Sequence, residues 1–179
     1  MNKIALATGV LLVFVIAGAA GFIYSGLYDI SATTPHSDIT YRVMETVREQ
    51  SIKRMARDVK VPELGDPEKV HSGFRNFHAM CITCHSPPGQ EASEISKGLY
   101  PKAPSLVDVA KRRTPAEMFI IIKRGIKMSG MPAWEPTHSG EEMWALVAFL
   151  NQFQYMAPNE YQEAAAYYMK SGKSEAMHH

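Results

Sequence analysis

Cys81-Ile82-Thr83-Cys84-His85 concentrates more chemistry in five positions than any other stretch of this chain. Two thiols at that spacing can each add to one vinyl group of a haem and tie it to the chain. The adjoining imidazole then reaches the iron from the proximal side. A redox C-x-x-C of the thioredoxin kind belongs at the start of a helix that follows a strand. Here the motif ends a helical pattern, and no strand-like alternation precedes it. A structural zinc site needs two further ligands at fixed spacing. The chain has only 2 cysteines, and His71 and His78 stand at no zinc-like spacing from them. As a disulfide the pair would close too small a loop to constrain much chain. The residues therefore point to one covalent haem.

An iron that only carries electrons has its far side filled, and a thioether there favours the ferrous state and raises the potential. With 11 methionines, composition does not select the ligand. Position narrows the choice to Lys127-Met128-Ser129-Gly130-Met131-Pro132-Ala133-Trp134, a loop between two capped helical patterns. Gly130 and Pro132 flank Met131 and favour a fixed turn that presents its side chain. Met128 is the rival, and spacing alone leaves both in play.

The elements that must position these residues are helices. Asp66-Pro67-Glu68 supplies an N-cap, a proline at the first helical position and an acid in the first turn. Val70, Phe74, Phe77 and Cys81 follow at helical spacing, which predicts a helix over residues 67–81. Thr114-Pro115-Ala116-Glu117 is a capping box, and the helix it opens carries Met118, Ile121 and Ile122 before stopping near Gly125. Ser139-Gly140-Glu141-Glu142 is a second, opening a helix through Trp144, Leu146, Val147, Phe149 and Leu150. A weaker helical pattern covers residues 159–171 and is expected to stop at Gly172. No stretch sustains period-two alternation, so the expected class is all-α.

Ahead of these helices, residues 4–24 carry no charge, and about 20 apolar residues suffice to cross a bilayer. Lys3 precedes the run and the first acid, Asp29, follows it. A basic flank stays in the cytoplasm, so the rest of the chain should face the periplasm. Ala17-Gly18-Ala19 would suit a cleaved signal peptide. The apolar run continues through Tyr24, however, beyond the roughly 7–15 residues of a signal core, and an uncleaved anchor is expected. Residues 37–58 read as an amphipathic helix, with Met44, Val47, Ser51 and Met55 on one stripe and Arg42, Arg48, Lys53, Arg54 and Arg57 on polar faces. Packing of that helix on the domain is the expected arrangement; docking to a partner subunit or a membrane surface is the alternative. The expected divisions are an anchor at 1–25, a linker and amphipathic helix at 26–65, a helical domain at 66–156 and a helical tail at 157–179. With 46% hydrophobic and 21% charged residues, the chain is neither disordered nor multi-span, and a net charge of +1 gives no sign of nucleic-acid binding.

Taken together, Gly73-x3-Phe77-x3-Cys81-x2-Cys84-His85, Ala103-Pro104-Ser105-Leu106, Gly130-Met131-Pro132-Ala133-Trp134 and Trp144-Ala-Leu-Val-Ala-Phe149-Leu150 resemble the class I cytochrome c family, in particular its membrane-anchored bacterial monohaem members. The resemblance covers about residues 66–153. It implies a helical domain around one covalent haem c, with His85 and Met131 as axial ligands, Met131 being preferred over Met128. It implies that the Pro104 carbonyl orients His85, Pro101 being the neighbouring alternative. Gly73 would sit where the first and last core helices cross, against Leu146 and Phe149. The function implied is electron transfer without substrate chemistry, by a single-pass protein of the bacterial inner membrane facing the periplasm. Its partners would be a quinol-oxidising complex, a dehydrogenase or a terminal oxidase. The alternatives are a fixed haem subunit of a larger redox enzyme, and a haem enzyme or gas sensor whose distal ligand is displaced. The segment 37–61 and the tail with Tyr155, Tyr161, Tyr167 and Tyr168 lie outside the family's minimal fold and are expected to contact something other than haem. His178 and His179 are expected to have no role.

Overall fold

The computed structural model describes residues 2–175, so His178 and His179 lie outside it. Two units are distinguished, one ending at Pro35 and one beginning at His36. The first is the helix α1 (Lys3–Tyr24) and the turn that follows. Asn2 caps α1 by accepting from the Ile4 N–H, and no residue of the helix is buried within the protein. Among the described residues α1 is the helix long and apolar enough to cross a membrane, a property that an N-terminal signal sequence shares. Beyond it, the Asp29 carboxylate accepts hydrogen bonds from the Ser31 N–H at 2.8 Å and the Thr34 hydroxyl at 2.6 Å.

The second unit contains α2 (Asp38–Ala56), α3 (Pro67–Asn76) with a π-helical turn (Phe77–Cys81), α4 (Glu94–Gly98), α5 (Leu106–Arg112), α6 (Pro115–Arg124), α7 (Gly140–Phe153) and α8 (Pro158–Glu175). There is no strand among the described residues. Local chemistry sets most of the helix starts. Ser37, Asp66, Ser93, Ser105, Thr114 and Ser139 each accept a first-turn N–H, satisfying a donor that the helix itself leaves orphaned. Thr114 and Ser139 complete reciprocal capping boxes with Glu117 and Glu142.

The core is built around α7, in which every residue from Met143 to Leu150 is buried, together with Phe153. From α6, Met118, Phe119, Ile120 and Ile122 are buried, and Phe119 stacks on Trp144 with ring centroids 4.1 Å apart. From the other side α3 crosses α7 at Gly73. A Cβ on Gly73 would overlap the Ala145 carbonyl and lie 2.9 Å from Phe149 Cβ. The neighbour at this crossing is thus Ala145 with Phe149, one residue before the expected Leu146.

Three features depart from the sequence expectations. Helices α4 and α5 are additional, and α8 runs through Gly172 instead of stopping there. The Tyr161 ring of α8 is completely buried among Phe74, Phe77 and Phe153, and Tyr168 stacks on His71 at 4.2 Å, so the tail is part of the domain's core. Finally, α2 packs on α6, but not through its Met44-Val47-Ser51-Met55 stripe. Ile52 and Ala56 are the buried residues, while Val47 is 59% and Met55 42% exposed. An ion pair between Glu49 and Arg113, flanked by Arg48 and Glu117, fixes this contact. The inward side of α2 is thus the one that buries Ile52 and Ala56 and brings Glu49 to Arg113.

Gly73→Ala is expected to destabilise the domain by about 1–3 kcal/mol or more, because the atoms it meets are the Ala145 carbonyl and Phe149 Cβ, neither of which can move without the α7 backbone; thermal unfolding of the variant measures it. The Arg113 hydrogen bond holds the Glu49 carboxyl below its ordinary pKa. The resulting stabilisation is complete above the ordinary glutamate pKa and is lost as pH falls through the lowered folded-state value. Arg113→Ala should cost about 1 kcal/mol at neutral pH, and the gap from wild type should close in acid unfolding curves.

Candidate functional site

The helix that carries the cysteines is α-helical only to Asn76. It then widens into the π turn Phe77–Cys81, one more residue per hydrogen-bonded ring than an α-turn. Phe77 is fully buried against Phe149 and Phe153, each centroid 5.1 Å away, which anchors the turn to α7. The N–H groups of Cys84 and His85 both donate to the Cys81 carbonyl, at 3.2 and 2.8 Å, so the motif continues as one tight turn. Hydroxyls from the next segment close the exit: Ser93 donates to the Thr83 carbonyl and Ser96 to the Cys84 carbonyl.

His85 is oriented from the other side of the site. Its Nδ1 lies 2.9 Å from the Pro104 carbonyl oxygen. A carbonyl only accepts, so Nδ1 carries the proton and Nε2 presents a bare lone pair, the form that binds a metal. Burial pushes the His85 pKa down, against the opposing pull of the Pro104 hydrogen bond, and this keeps the ring neutral. Pro104 is placed by α5, whose N-cap Ser105 follows it directly. The carbonyl that meets the ring belongs to Pro104 and not to Pro101.

Burial, with the nearby Cys84, pushes the Cys81 thiol up to about 12. A thiol of that kind stays protonated at neutral pH, unlike the low-pKa cysteine of a disulfide oxidoreductase. Nor does any group of three or more His, Cys, Asp or Glu side chains converge on a bare-ion site among the described residues.

The methionine loop is held by its own network. Gly125 ends α6 with φ 64°, and a Cβ there would lie 2.6 Å from both Ala133 N and the Pro132 carbonyl carbon. The Ile126 N–H donates to the Met131 carbonyl at 3.1 Å. Ser129 Oγ accepts from the Met131 N–H at 3.2 Å and donates to the Ile126 carbonyl at 2.7 Å. Within this loop Met131 is part-buried, whereas Met128 has φ 59° and is 77% exposed. Gly130 packs on Leu99, whose Cδ2 would stand 2.5 Å from an added Cβ. Two thiols that can bond the vinyl groups of a haem, a neutral imidazole with a free Nε2 and a thioether on the methionine loop are the groups that a covalently bound haem calls for.

Residues 68–150 match the family model described as cytochrome c oxidase, cbb3-type, subunit III. That match places residues 68–150 in the class I cytochrome c-type family. Neither a curated protein nor a solved structure matches the chain. As a c-type cytochrome it is a haem-binding electron-transfer protein whose haem c is covalently attached. One C-x-x-C-H in a chain with 2 cysteines provides for one such haem.

Several residues that shape this cytochrome's site escaped the sequence reading. Ser93 and Ser96 were hidden in a polar stretch, although Ser93-Glu94 is an N-cap signal. Ser129 carried no periodicity. Tyr161 was visible only as an aromatic on a weakly amphipathic helix. Its hydroxyl lies 2.9 Å from His78 Nδ1, and burial, with Cys81 nearby, pushes its pKa up to about 12.

Cys81→Ala, matured with haem, should retain the cofactor through a single thioether and show a red-shifted pyridine haemochrome band. The double variant Cys81→Ala/Cys84→Ala should release its haem into acidified acetone.

Proposed function

We propose that this protein is a membrane-anchored periplasmic electron carrier in which His85 and Met131 are the two axial ligands of the haem iron. One observation carries the reading: the His85 Nδ1–Pro104 hydrogen bond, which fixes the tautomer and leaves Nε2 bare beside the two haem-binding cysteines. Bound there, the haem supplies a one-electron ferric/ferrous couple. The Pro104 carbonyl raises the basicity of the imidazole and stops it rotating. The Ser129 and Gly125 contacts hold Met131 in place, and an iron held by both His85 and Met131 would have no position left for a substrate. Met128, exposed on the same loop, is free of this duty.

The anchor reading rests on the uninterrupted apolar surface of α1 and on Lys3 at its start, which keeps that end in the cytoplasm. Tethering confines the carrier to membrane-bound partners such as a quinol-oxidising complex, a dehydrogenase or a terminal oxidase, and raises its effective concentration beside them. A second reading, a fixed haem subunit of a larger redox enzyme, is favoured by the description of the matching family, that of an oxidase subunit. Purification in mild detergent separates the two, since a fixed subunit emerges with partners at constant stoichiometry and a carrier emerges alone.

The experiment for the ligand set is the ferric absorption spectrum of the matured protein. Met131→Ala should abolish the weak red charge-transfer band of methionine-ligated haem, and Met128→Ala should leave it intact. Loss of the band in Met128→Ala alone would exchange the roles of the two residues.

A further inference from the structure

Helix α2 has two faces, and the haem domain uses only one of them. Opposite the buried Ile52 and Ala56, the side chains of Val43, Met44, Val47 and Met55 are all exposed, between 42% and 59%. Val43 and Met44 stand four and three residues before Val47, and Met55 lies two turns further on, beyond Ser51, so the four share one side of the helix. Ile39 and Tyr41 extend it towards the start of the helix, 77% and 43% exposed.

The charges of α2 sort in the same sense. Glu45 and Glu49 lie on the domain side, where both pair with Arg48 and Glu49 also pairs with Arg113. Arg42, Lys53, Arg54 and Arg57 are exposed. By helical spacing Arg54 falls within the apolar strip, while Arg42, Lys53 and Arg57 run along one flank of it. An outward surface of apolar side chains bordered by cations, with Glu45 and Glu49 paired to Arg48 and the exposed acids Asp38 and Asp58 confined to the two ends, has the composition of a helix that lies in the headgroup region of an anionic bilayer.

Chain connectivity supplies the second argument. Tyr24 ends α1 and Ser37 caps α2, so only a short segment separates them. Fully extended, at roughly 3.3–3.6 Å per residue, residues 25–36 span about 40 Å, so α2 is within reach of any bilayer that α1 crosses.

We propose that the outward face of α2 docks on the anionic lipid surface of the membrane in which α1 is anchored. This inference rests on the anchor reading given above. Val43, Met44, Val47 and Met55 enter the boundary between headgroups and acyl chains, and the four cations meet lipid phosphates. Because α2 packs on α6 with Ile52 and Ala56 buried, and Glu49 pairs with Arg113 at the end of α5, docking gives the haem domain one orientation on the membrane instead of a free swing on its tether.

The test uses the full-length, haem-loaded protein in nanodiscs rich in phosphatidylglycerol, with a spin label placed at one introduced cysteine at a time. A label at Val47→Cys should collide with dissolved oxygen and be shielded from a water-soluble nickel chelate, at a depth of roughly 5–10 Å. A label at Lys111→Cys, on exposed α5, should behave oppositely. Replacing Arg42, Lys53, Arg54 and Arg57 together by Gln, or the anionic lipid by a zwitterionic one, should return the Val47→Cys label to water. A label at Leu12→Cys, within α1, separates the two levels of the argument. If it is embedded in lipid while Val47→Cys stays aqueous, lipid docking is overturned and the anchor stands. If the Leu12→Cys label is itself aqueous, the anchor and the docking fall together. Shielding of Val47→Cys that appears only in native membranes, and not in nanodiscs, would make the face a protein interface and overturn the lipid assignment.

Discussion

The close approach of α3 to α7 at Gly73 is the constraint on which the rest of the domain depends. With no Cβ to separate them, the backbone of α3 lies directly on the Ala145 carbonyl. That proximity brings Phe74 and Phe77 into the aromatic group formed with Phe149, Phe153 and Tyr161. Phe77 is also the first residue of the π turn that ends at Cys81. The position of Cys81, the first cysteine of the motif, is therefore inherited from a helix crossing two turns away. Aromatic packing of this kind contributes beyond its buried area, and it holds the turn where backbone hydrogen bonding alone is less regular.

From Cys81 onward, polar contacts take over from packing. The C-x-x-C-H turn and the methionine come from separate stretches of chain, and each is fixed by its own hydrogen bonds: Ser93 and Ser96 behind the turn with Pro104 on His85, and Ser129 on Met131. Such preorganisation suits electron transfer, in which ligands that stay put in both oxidation states keep the rearrangement small. The tail strengthens the same region from outside, since Tyr161 fills the aromatic group and bonds His78 one turn before Cys81.

Where a local rule governs, the sequence was easy to read. The capping boxes at Thr114 and Ser139 set helix starts that the structure reproduces, because a cap depends only on residues three apart. The C-x-x-C-H motif was legible for the same reason. The neighbour of Gly73 was off by one residue, since Ala145 and Leu146 both lie on the buried side of α7 and only the crossing angle distinguishes them. The inward face of α2 was misread on a different ground. Periodicity identified an apolar strip, but the side that packs is the one carrying Ile52, Ala56 and Glu49, whose partner Arg113 is 64 positions away in sequence. Short α4 and α5 lacked enough turns to show a period, and α8 passed through Gly172 where a single glycine was expected to stop it.

The central claim is that the haem iron has both axial positions filled by this chain, the distal one by a methionine. Proton NMR of the reduced, haem-loaded protein addresses it most directly, because a methionine methyl group bound above a haem is displaced far upfield by the ring current. One such methyl resonance, with slow binding of carbon monoxide, is the predicted result. No upfield methyl and immediate carbon monoxide binding would show an open distal site and contradict the account.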